Sequence, residues 1–236
     1  CSEKGEEMIF TGVLINAVLV IIGTMIGLIF KGERLKNIGQ RIFEAFALFV
    51  LVMGVSGAMD LSEPLIILGS IIAGVAIGEI IDIDKQFTRL GSWLQNKFAK
   101  NDSGFSRGFI EASLLFCVGS MTILGALQSG LEGEHTIYIT KGILDMVSAI
   151  TFAMGSGIGV AFSSISVIVY QGLLTLCASF LSPVLSEEMI ALSSTIGSLF
   201  LIAIATNMLG ITRIKVANFL PAMFMPFVYQ AILLIL

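Results

Sequence analysis

The stretch "IFTGVLINAVLVIIGTMIGLIF" (residues 9–30) decides the fold class, because no charged side chain interrupts it. About 20 mostly apolar residues in a helix cross the roughly 30 Å hydrocarbon core of a bilayer. Runs of this kind favour spanning helices over a β-barrel, whose strands alternate apolar with polar residues. We therefore predict an all-α, polytopic transmembrane helical bundle of about eight spans. The other apolar segments lie near residues 43–59, 64–82, 109–129, 137–156, 163–183, 189–210 and 217–236.

The composition of the 236-residue chain excludes a soluble globular domain. Hydrophobic residues make up 56% of the sequence and charged residues 13%, and the mean hydropathy is +0.98. Residues 8–236 are predicted to form a single integral membrane domain. Residues 1–7, which precede Met8, are interpreted as an N-terminal extension or a cloning remnant, with a lipid-bearing Cys1 as the alternative.

The distribution of basic residues predicts the topology, because positively charged loops stay on the cytoplasmic side. Lysines and arginines cluster between the first and second segments and between the third and fourth. The loops around Asp60, Glu132 and Glu187 contain none. The basic loops are therefore predicted inside, and the acidic loops and both termini outside.

Two cytoplasmic stretches, near residues 31–42 and 83–100, are amphipathic. In the second, Trp93 lies among apolar residues at helical spacing, whereas Lys85, Arg89 and Lys97 are placed elsewhere around the helix. This pattern is typical of a helix lying on anionic lipid headgroups. A solvated linker packed on the bundle is the alternative.

The glycine-rich stretch "GSGIG" (residues 155–159) lies within a long apolar region between Lys141 and Pro183. One helix over that region would reach about 60 Å, twice the core thickness, so two crossings and a reversal are required. The glycines then form a tight turn or packing seam, or they form a broken helix that lines a substrate site.

Polar side chains within the apolar segments are the candidate functional residues, because each needs a partner or a water-filled cavity. Asp145, with Lys141 one turn before it, is either half of an ion pair or a cation or proton site. Glu44 and Glu111 either complement helix dipoles or form an acidic entry. Asn207 is expected deep in its segment, where it holds a neighbouring helix or ligates a solute. The predicted substrate-binding set is Asp145, Asn207, Ser156, Gly155, Gly157, Gly159, Glu44, Glu111 and Asn16, with Gln171, Asn218 and Gln230 as further polar candidates.

No sequence pattern indicates an enzyme. The one histidine, His135, lies in a predicted external loop, and the sequence has no HExxH, Walker loop, nucleophile elbow or CxxC. No basic patch is interleaved with stacking aromatic residues, so nucleic acid is not an expected partner. We expect no catalytic residue, no cofactor and no metal site.

Two stretches, "RIFEAFALF" (residues 41–49) and "GFIEASLLF" (residues 108–116), suggest an internal repeat of helical hairpins. This repeat would be parallel, and an inverted relation between the first three and the last three segments is the alternative. Small-residue pairs such as Gly23 with Gly27 favour close helix packing and a homo-oligomer.

Four stretches together carry a family resemblance: "GVLINAVLVIIGTMIGLIFKGERL", "LVMGVSGAMDL", "LGSIIAGVAIGEIIDID" and "FIEASLLFCVGSMTILGALQSGL". On these residues the chain resembles the bacterial integral membrane proteins of the YqgA and YdfK type, the family called domain of unknown function 554. The resemblance covers Met8 to Leu236 and leaves out "CSEKGEE". It implies a multi-pass protein of the bacterial inner membrane, and it brings no established substrate or catalytic residue.

These observations favour a transporter or channel that passes a small solute or ion across the bilayer. The intramembrane acids give a slight preference for cationic cargo. The alternative is a non-transporting scaffold or sensor that binds a partner or anionic lipid through the basic helix around Trp93. A transporter should lose flux when Asp145 or Asn207 is made apolar, whereas a scaffold should depend on the basic helix.

Overall fold

The computed structural model describes residues 10–30, 36–59, 61–100 and 104–235, and this part of the chain is helical without a strand. The all-α prediction is confirmed. A π-helical turn (Gln128–Glu132) extends α6, and a 3₁₀ helix (Val216–Phe224) precedes the last α-helix. The helices are α1 (Thr11–Ile29), α2 (Lys36–Ala58), α3 (Pro64–Ile81), α4 (Ile83–Phe98), α5 (Phe105–Cys117), α6 (Ser120–Leu127), α7 (Thr136–Ser156), α8 (Gly159–Leu176), α9 (Ala178–Leu181), α10 (Glu187–Met208) and α11 (Met225–Ile235).

Seven helices of the described chain are long and apolar enough to cross a membrane. The pair Phe105–Cys117 and Ser120–Glu132 passes the same test jointly but is bent by 60° at its break. Counting the bent pair as one span gives eight, in agreement with the predicted number. The seven continuous spans are Thr11–Ile29, Asn37–Ala58, Pro64–Ile81, Thr136–Ser156, Gly159–Leu176, Glu187–Met208 and Val216–Leu234.

Three predicted segments differ from the observed helices. The second begins earlier, at Lys36, so residues 36–42 belong to the spanning helix and not to a separate amphipathic stretch. The fourth is interrupted at Gly119, whose φ of 117° is not helical. The sixth begins at Gly159, because the preceding turn takes only two residues. Residues 1–7 and 31–35 lie outside the described residues, so the proposed extension stays a prediction.

The chain divides into two compact units. Unit 1 comprises Cys1–Phe46, Arg89–Cys117 and Met121–Phe180, and unit 2 comprises Ala47–Thr88, Val118–Ser120 and Leu181–Leu236.

Unit 1 is built around α1 and α7, which lie side by side and run parallel. Gly23 faces the carbonyl oxygen of Met146 and Gly27 that of Ile150, so closely that a Cβ on either glycine would overlap the oxygen. Missing side chains at this spacing let two helix backbones come into contact. Because paired positions increase together along both helices, the two helices point the same way.

Unit 2 is organised by an antiparallel contact of the same kind. Gly74 of α3 lies against the backbone of Ala222, and Gly78 lies against the carbonyl of Asn218. Pro221 lies inside the 3₁₀ helix that supplies these contacts. Proline cannot donate an amide hydrogen bond, which agrees with a 3₁₀ stretch before α11 in place of a continuous α-helix.

Both pairings agree with a chain that crosses the bilayer repeatedly. Counting the bent pair as the fourth span, α1 and α7 are the first and fifth and must be parallel, as observed in unit 1. The third and eighth spans must be antiparallel, as observed in unit 2. Which side faces the cytoplasm and whether an internal repeat exists stay predictions.

Candidate functional site

A buried ion pair lies in the first half of α7. Lys141 and Asp145 are one turn apart, and the ammonium contacts the carboxylate directly. Lys141 is 5% exposed and Asp145 is 8% exposed. An ion pair was one of the two interpretations that the spacing allowed, and the structure shows the pair. Charges are seldom buried this deeply unless they are paired, because removing them from water is unfavourable.

Two amides extend the pair across neighbouring helices. The Asn16 side chain on α1 donates from Nδ2 to Oδ2 of Asp145 at 3.1 Å and to Oε1 of Gln171 on α8 at 3.2 Å. Both amide residues are fully buried. Three candidate spans therefore meet at one polar cluster, which we call the Asn16 cluster: Asn16, Lys141, Asp145 and Gln171.

A hydroxyl layer continues the polar region from the Asn16 cluster. Fully buried Tyr138 donates towards the carbonyls of Thr122 at 3.3 Å and Gln171 at 3.4 Å, and its oxygen lies 3.2 Å from Oγ1 of Thr175. Thr175 donates to the Gln171 carbonyl at 2.7 Å. Sequence reasoning missed Tyr138, although its spacing from Lys141 and Asp145 places all three on one helical face.

Several atoms in this region have no hydrogen-bond partner among the described residues. They are the acceptor Oδ1 of Asn16, the donor Nε2 of Gln171 and the hydroxyl Oγ1 of Thr122. Leaving a buried donor or acceptor unpaired is unfavourable by about 1–3 kcal/mol. An unpaired acceptor and an unpaired donor therefore lie on neighbouring amides of the cluster.

Glycines bring α1 and α7 close together at the cluster. At Gly142, one residue beyond Lys141, a Cβ would lie 3.0 Å from Cα of Asn16. At Gly12, a Cβ would lie 3.0 Å from Cβ of Tyr138. Short amides reach across α1 and α7 only because the helix backbones are this close.

The "GSGIG" stretch forms a turn. Helix α7 ends at Ser156, Gly157 adopts φ 80° and ψ −157°, and α8 begins at Gly159. A side chain would be strained at that backbone conformation, so glycine fits this position. The turn interpretation is correct, and the broken-helix alternative is not observed.

The residues of this turn lie apart from the Asn16 cluster. Ser156 is about 16 Å from Asp145 along the helix axis, since each residue advances about 1.5 Å. Ser156 packs against Gly108, and Gly159 packs against the Phe105 carbonyl. Exposed Gly155 lies beside the ring of Phe43. These residues pack the helix end, and the structure does not bring them together with Asp145.

The sequence predicted that Asn207 lies deep in a span, and this prediction was wrong. Helix α10 ends at Met208, so Asn207 lies at the end of the span. Its Nδ2 donates to the Ile214 carbonyl at 2.8 Å, and its Oδ1 accepts from the Ile214 amide at 2.9 Å and from Thr212 at 2.8 Å. The amide thus organises the loop that follows the helix. The long apolar sequence before Asn207 suggested a position deep in the membrane. The helix ends one residue later, so the Asn207 side chain lies beside the following loop.

The two glutamates form local ion pairs. Glu44 accepts from Arg41 at 2.8 Å, and its side chain is 38% exposed. Glu111 accepts from Arg107 at 2.9 Å and is buried, with Oε2 lacking a partner among the described residues. Helix-dipole effects are concentrated in the first turn of a helix. Since α2 begins at Lys36, Glu44 lies beyond that turn. Neither glutamate has a contact with Asp145 in the described structure.

Unit 2 holds a separate polar group around Asn218. This side chain donates to Glu79 at 2.5 Å and accepts from the backbone amide of Asp84 at 2.7 Å. Lys215 lies 3.3 Å from Glu79, and that hydrogen bond raises the pKa of the lysine. Partial burial raises the pKa of the Asp84 carboxyl, while Lys215 acts in the opposite direction. Sequence reasoning found Asn218 and missed Glu79, its partner across the helix contact.

No group of three or more histidine, cysteine, aspartate or glutamate side chains arranged to hold a metal ion occurs within the described ranges. The free thiols of Cys117 and Cys177 are buried and exposed, respectively.

Comparison with known proteins identifies the family. The uncharacterized membrane protein YdfK of Bacillus subtilis (strain 168) is 29% identical over 219 residues, which cover 91% of this chain and 93% of the relative. The uncharacterized protein YqgA of Escherichia coli (strain K12) is 29% identical over 218 residues, which cover 90% and 92%. No solved structure shows a significant match. The family described as "Protein of unknown function (DUF554)" matches residues 11–231, so the chain is a membrane protein that belongs to the DUF554 family.

Proposed function

We propose that this protein passes a small solute or ion across the membrane and that the Asn16 cluster is its binding site. The observation that carries the proposal is the Asp145 carboxylate, held inside a candidate span by α1 and α7 beside two incompletely paired amides. Ionisable groups within membrane spans are unfavourable in lipid and mark solute, ion or proton pathways.

A purely structural role explains this arrangement less well. Apolar side chains of similar volume often replace a buried ion pair with no loss of stability. A purely structural ion pair would also leave Oδ1 of Asn16 and Nε2 of Gln171 without partners among the described residues. A bound solute or water would satisfy both, because one is an acceptor and the other a donor.

Cationic cargo fits the charges of the cluster. The Asp145 carboxylate and Oδ1 of Asn16 together offer two oxygen ligands to a small cation. Lys141 is then a tethered competitor, because its ammonium already occupies the carboxylate that the cargo would contact. A proton, an alkali cation or a small amine would displace Lys141 from Asp145, and its return would release the cargo.

The test is current across a solid-supported membrane that carries proteoliposomes, recorded for gradients of protons, alkali cations and small amines. The informative variant is Lys141→Met/Asp145→Asn, which removes the carboxylate without leaving an unpaired charge. Losing one charged hydrogen bond should raise the half-saturating concentration by about 10- to 150-fold. Thr151→Val is the matched control on α7, because the Thr151 hydroxyl bonds only to carbonyls of its own helix.

A folded double variant that retains the parent's concentration dependence would contradict the assignment of the site. If no gradient produces current, ion-sensitive dyes and labelled solutes should then be used to detect electroneutral flux. Absence of flux in both measurements would reject transport and favour the scaffold or sensor hypothesis.

A further inference from the structure

Helix α4 has one face packed against the protein and another that faces outward. Gly91 and Leu94 are buried. A Cβ at Gly91 would meet Oγ of Ser106 at 2.7 Å and the ring of Phe109 at 3.3 Å, so this face rests on α5. The packed face fixes the rotation of α4 and therefore determines which side chains point outward.

The outward face combines basic and aromatic side chains. Arg89, Trp93 and Lys97 follow one another at intervals of four, which places them on one side of a helix. The expectation that Arg89 and Lys97 lie elsewhere around the helix than Trp93 was therefore wrong. All three are exposed, Trp93 by 55%. The Lys97 ammonium lies 5.0 Å from the centroid of the Trp93 ring and 5.4 Å from that of Phe98. We call Arg89, Trp93 and Lys97 the α4 face.

Nothing in the described structure neutralises this face. Neither Arg89 nor Lys97 has an ion pair with a described carboxylate, in contrast to Arg41, which contacts Glu44. Apolar side chains border the face as well, since Leu90 is 45% exposed and Phe98 is 58% exposed. A matching surface must therefore be anionic and must also accept apolar groups.

The position of α4 in the chain identifies that surface. The helix lies between the span that ends at Ile81 and the bent span that begins at Phe105, which places it at the membrane boundary. Tryptophan and long basic side chains are enriched at this depth, where rings lie at the headgroups and cations reach lipid phosphates. We propose that the α4 face binds the headgroups of anionic phospholipids. This proposal does not depend on the transport proposal.

The test uses Trp93 as a reporter, because it is the only tryptophan in the sequence. The full chain is reconstituted into two sets of vesicles with the same mixture of phosphatidylglycerol and phosphatidylcholine. Acyl chains of phosphatidylglycerol are brominated in one set and those of phosphatidylcholine in the other. Surface charge is then equal, and only the identity of the quenching lipid differs.

We expect brominated phosphatidylglycerol to quench Trp93 more strongly than its mole fraction predicts, and high salt to reduce the excess. Arg89→Gln and Lys97→Gln should each lower the lipid preference by up to about fivefold. Arg41→Gln is the matched control, since Arg41 is an exposed cation of the same unit with its own carboxylate partner, and it should leave the excess unchanged.

Three results would overturn the proposal. Quenching in proportion to mole fraction would show contact with lipid but no selection of the anionic headgroup. Absence of quenching by either lipid would place Trp93 away from the bilayer. An equal loss of preference in Arg41→Gln would assign the effect to overall charge and not to the α4 face.

Discussion

Neutralising one member of the Lys141–Asp145 pair should destabilise the protein far more than neutralising both. In Asp145→Asn the ammonium keeps its buried position but loses the carboxylate. Removing one partner of a buried ion pair lowers the free energy of unfolding by about 3–5 kcal/mol, and the same holds for Lys141→Met. In the double variant no unpaired charge remains, and the amide oxygen at position 145 can still accept from Asn16. We expect the double variant to lie within about 1 kcal/mol of the parent.

The assay is unfolding in mixed micelles with increasing sodium dodecyl sulfate, followed by circular dichroism for the parent, both single variants and the double variant. The expected coupling free energy between the two positions is at least about 5 kcal/mol, which corresponds to more than about a thousandfold in the unfolding equilibrium. Thr151→Val on the same helix should change stability little. Single variants as stable as the parent, or a double variant destabilised by the sum of the two, would refute the reasoning.

Three further predictions test packing, titration and loop structure. Gly78→Ala should destabilise by about 1–3 kcal/mol, because the added Cβ overlaps the Asn218 carbonyl. On the same helix, Gly69→Ala meets nothing within 4 Å and should gain up to about 1 kcal/mol of helix propensity, so thermal unfolding in detergent should separate the two. The raised pKa of Asp84 means that its ionisation opposes folding. Asp84→Asn should therefore be more stable than the parent at neutral pH, by less than about 1 kcal/mol in the free energy of unfolding. This difference should vanish as the pH falls below the ordinary pKa of 3.8, and a difference that does not change with pH would contradict the prediction. Asn207→Leu removes the side-chain partners of Ile214, so hydrogen exchange in residues 209–215 should accelerate by roughly fivefold, and unchanged exchange would be contrary evidence.

The helical architecture could be predicted from the sequence because a bilayer imposes a length and an apolar character on each span. The requirement for a reversal near Gly157 came from the same length argument. The helix ends were harder to predict. Helix α2 begins at Lys36, although its first residues have no strong apolar pattern. The bend at Gly119 could not be predicted either, because the apolar run continues through it without interruption.

The candidate site could be predicted only in part, because most of its contacts join different helices. Lys141 and Asp145 share one helix, so their contact follows from spacing. The bond from Asn16 to Asp145 joins residues 129 positions apart and that from Asn16 to Gln171 joins residues 155 apart, so they depend on which helices pack together. Asn16 and Gln171 were recognised as unusual within apolar segments, but their partners were not. Asn207 had the same appearance in the sequence, and the nearby end of α10 gave it a different role.

The parallel contact between α1 and α7 has a consequence for the synthesis and membrane insertion of the protein. The Asn16 amide enters the membrane with the first span, but Asp145 is synthesised 129 residues later. At about 5–20 residues per second, this interval lasts about 6–26 s. During that time α1 carries a polar side chain whose acidic partner does not yet exist, and exposure of this side chain to lipid would be unfavourable. We expect the nascent first span to remain beside the insertion machinery or a membrane chaperone until α7 arrives, so crosslinks from position 16 should persist in truncated ribosome-bound chains and disappear once α7 has emerged.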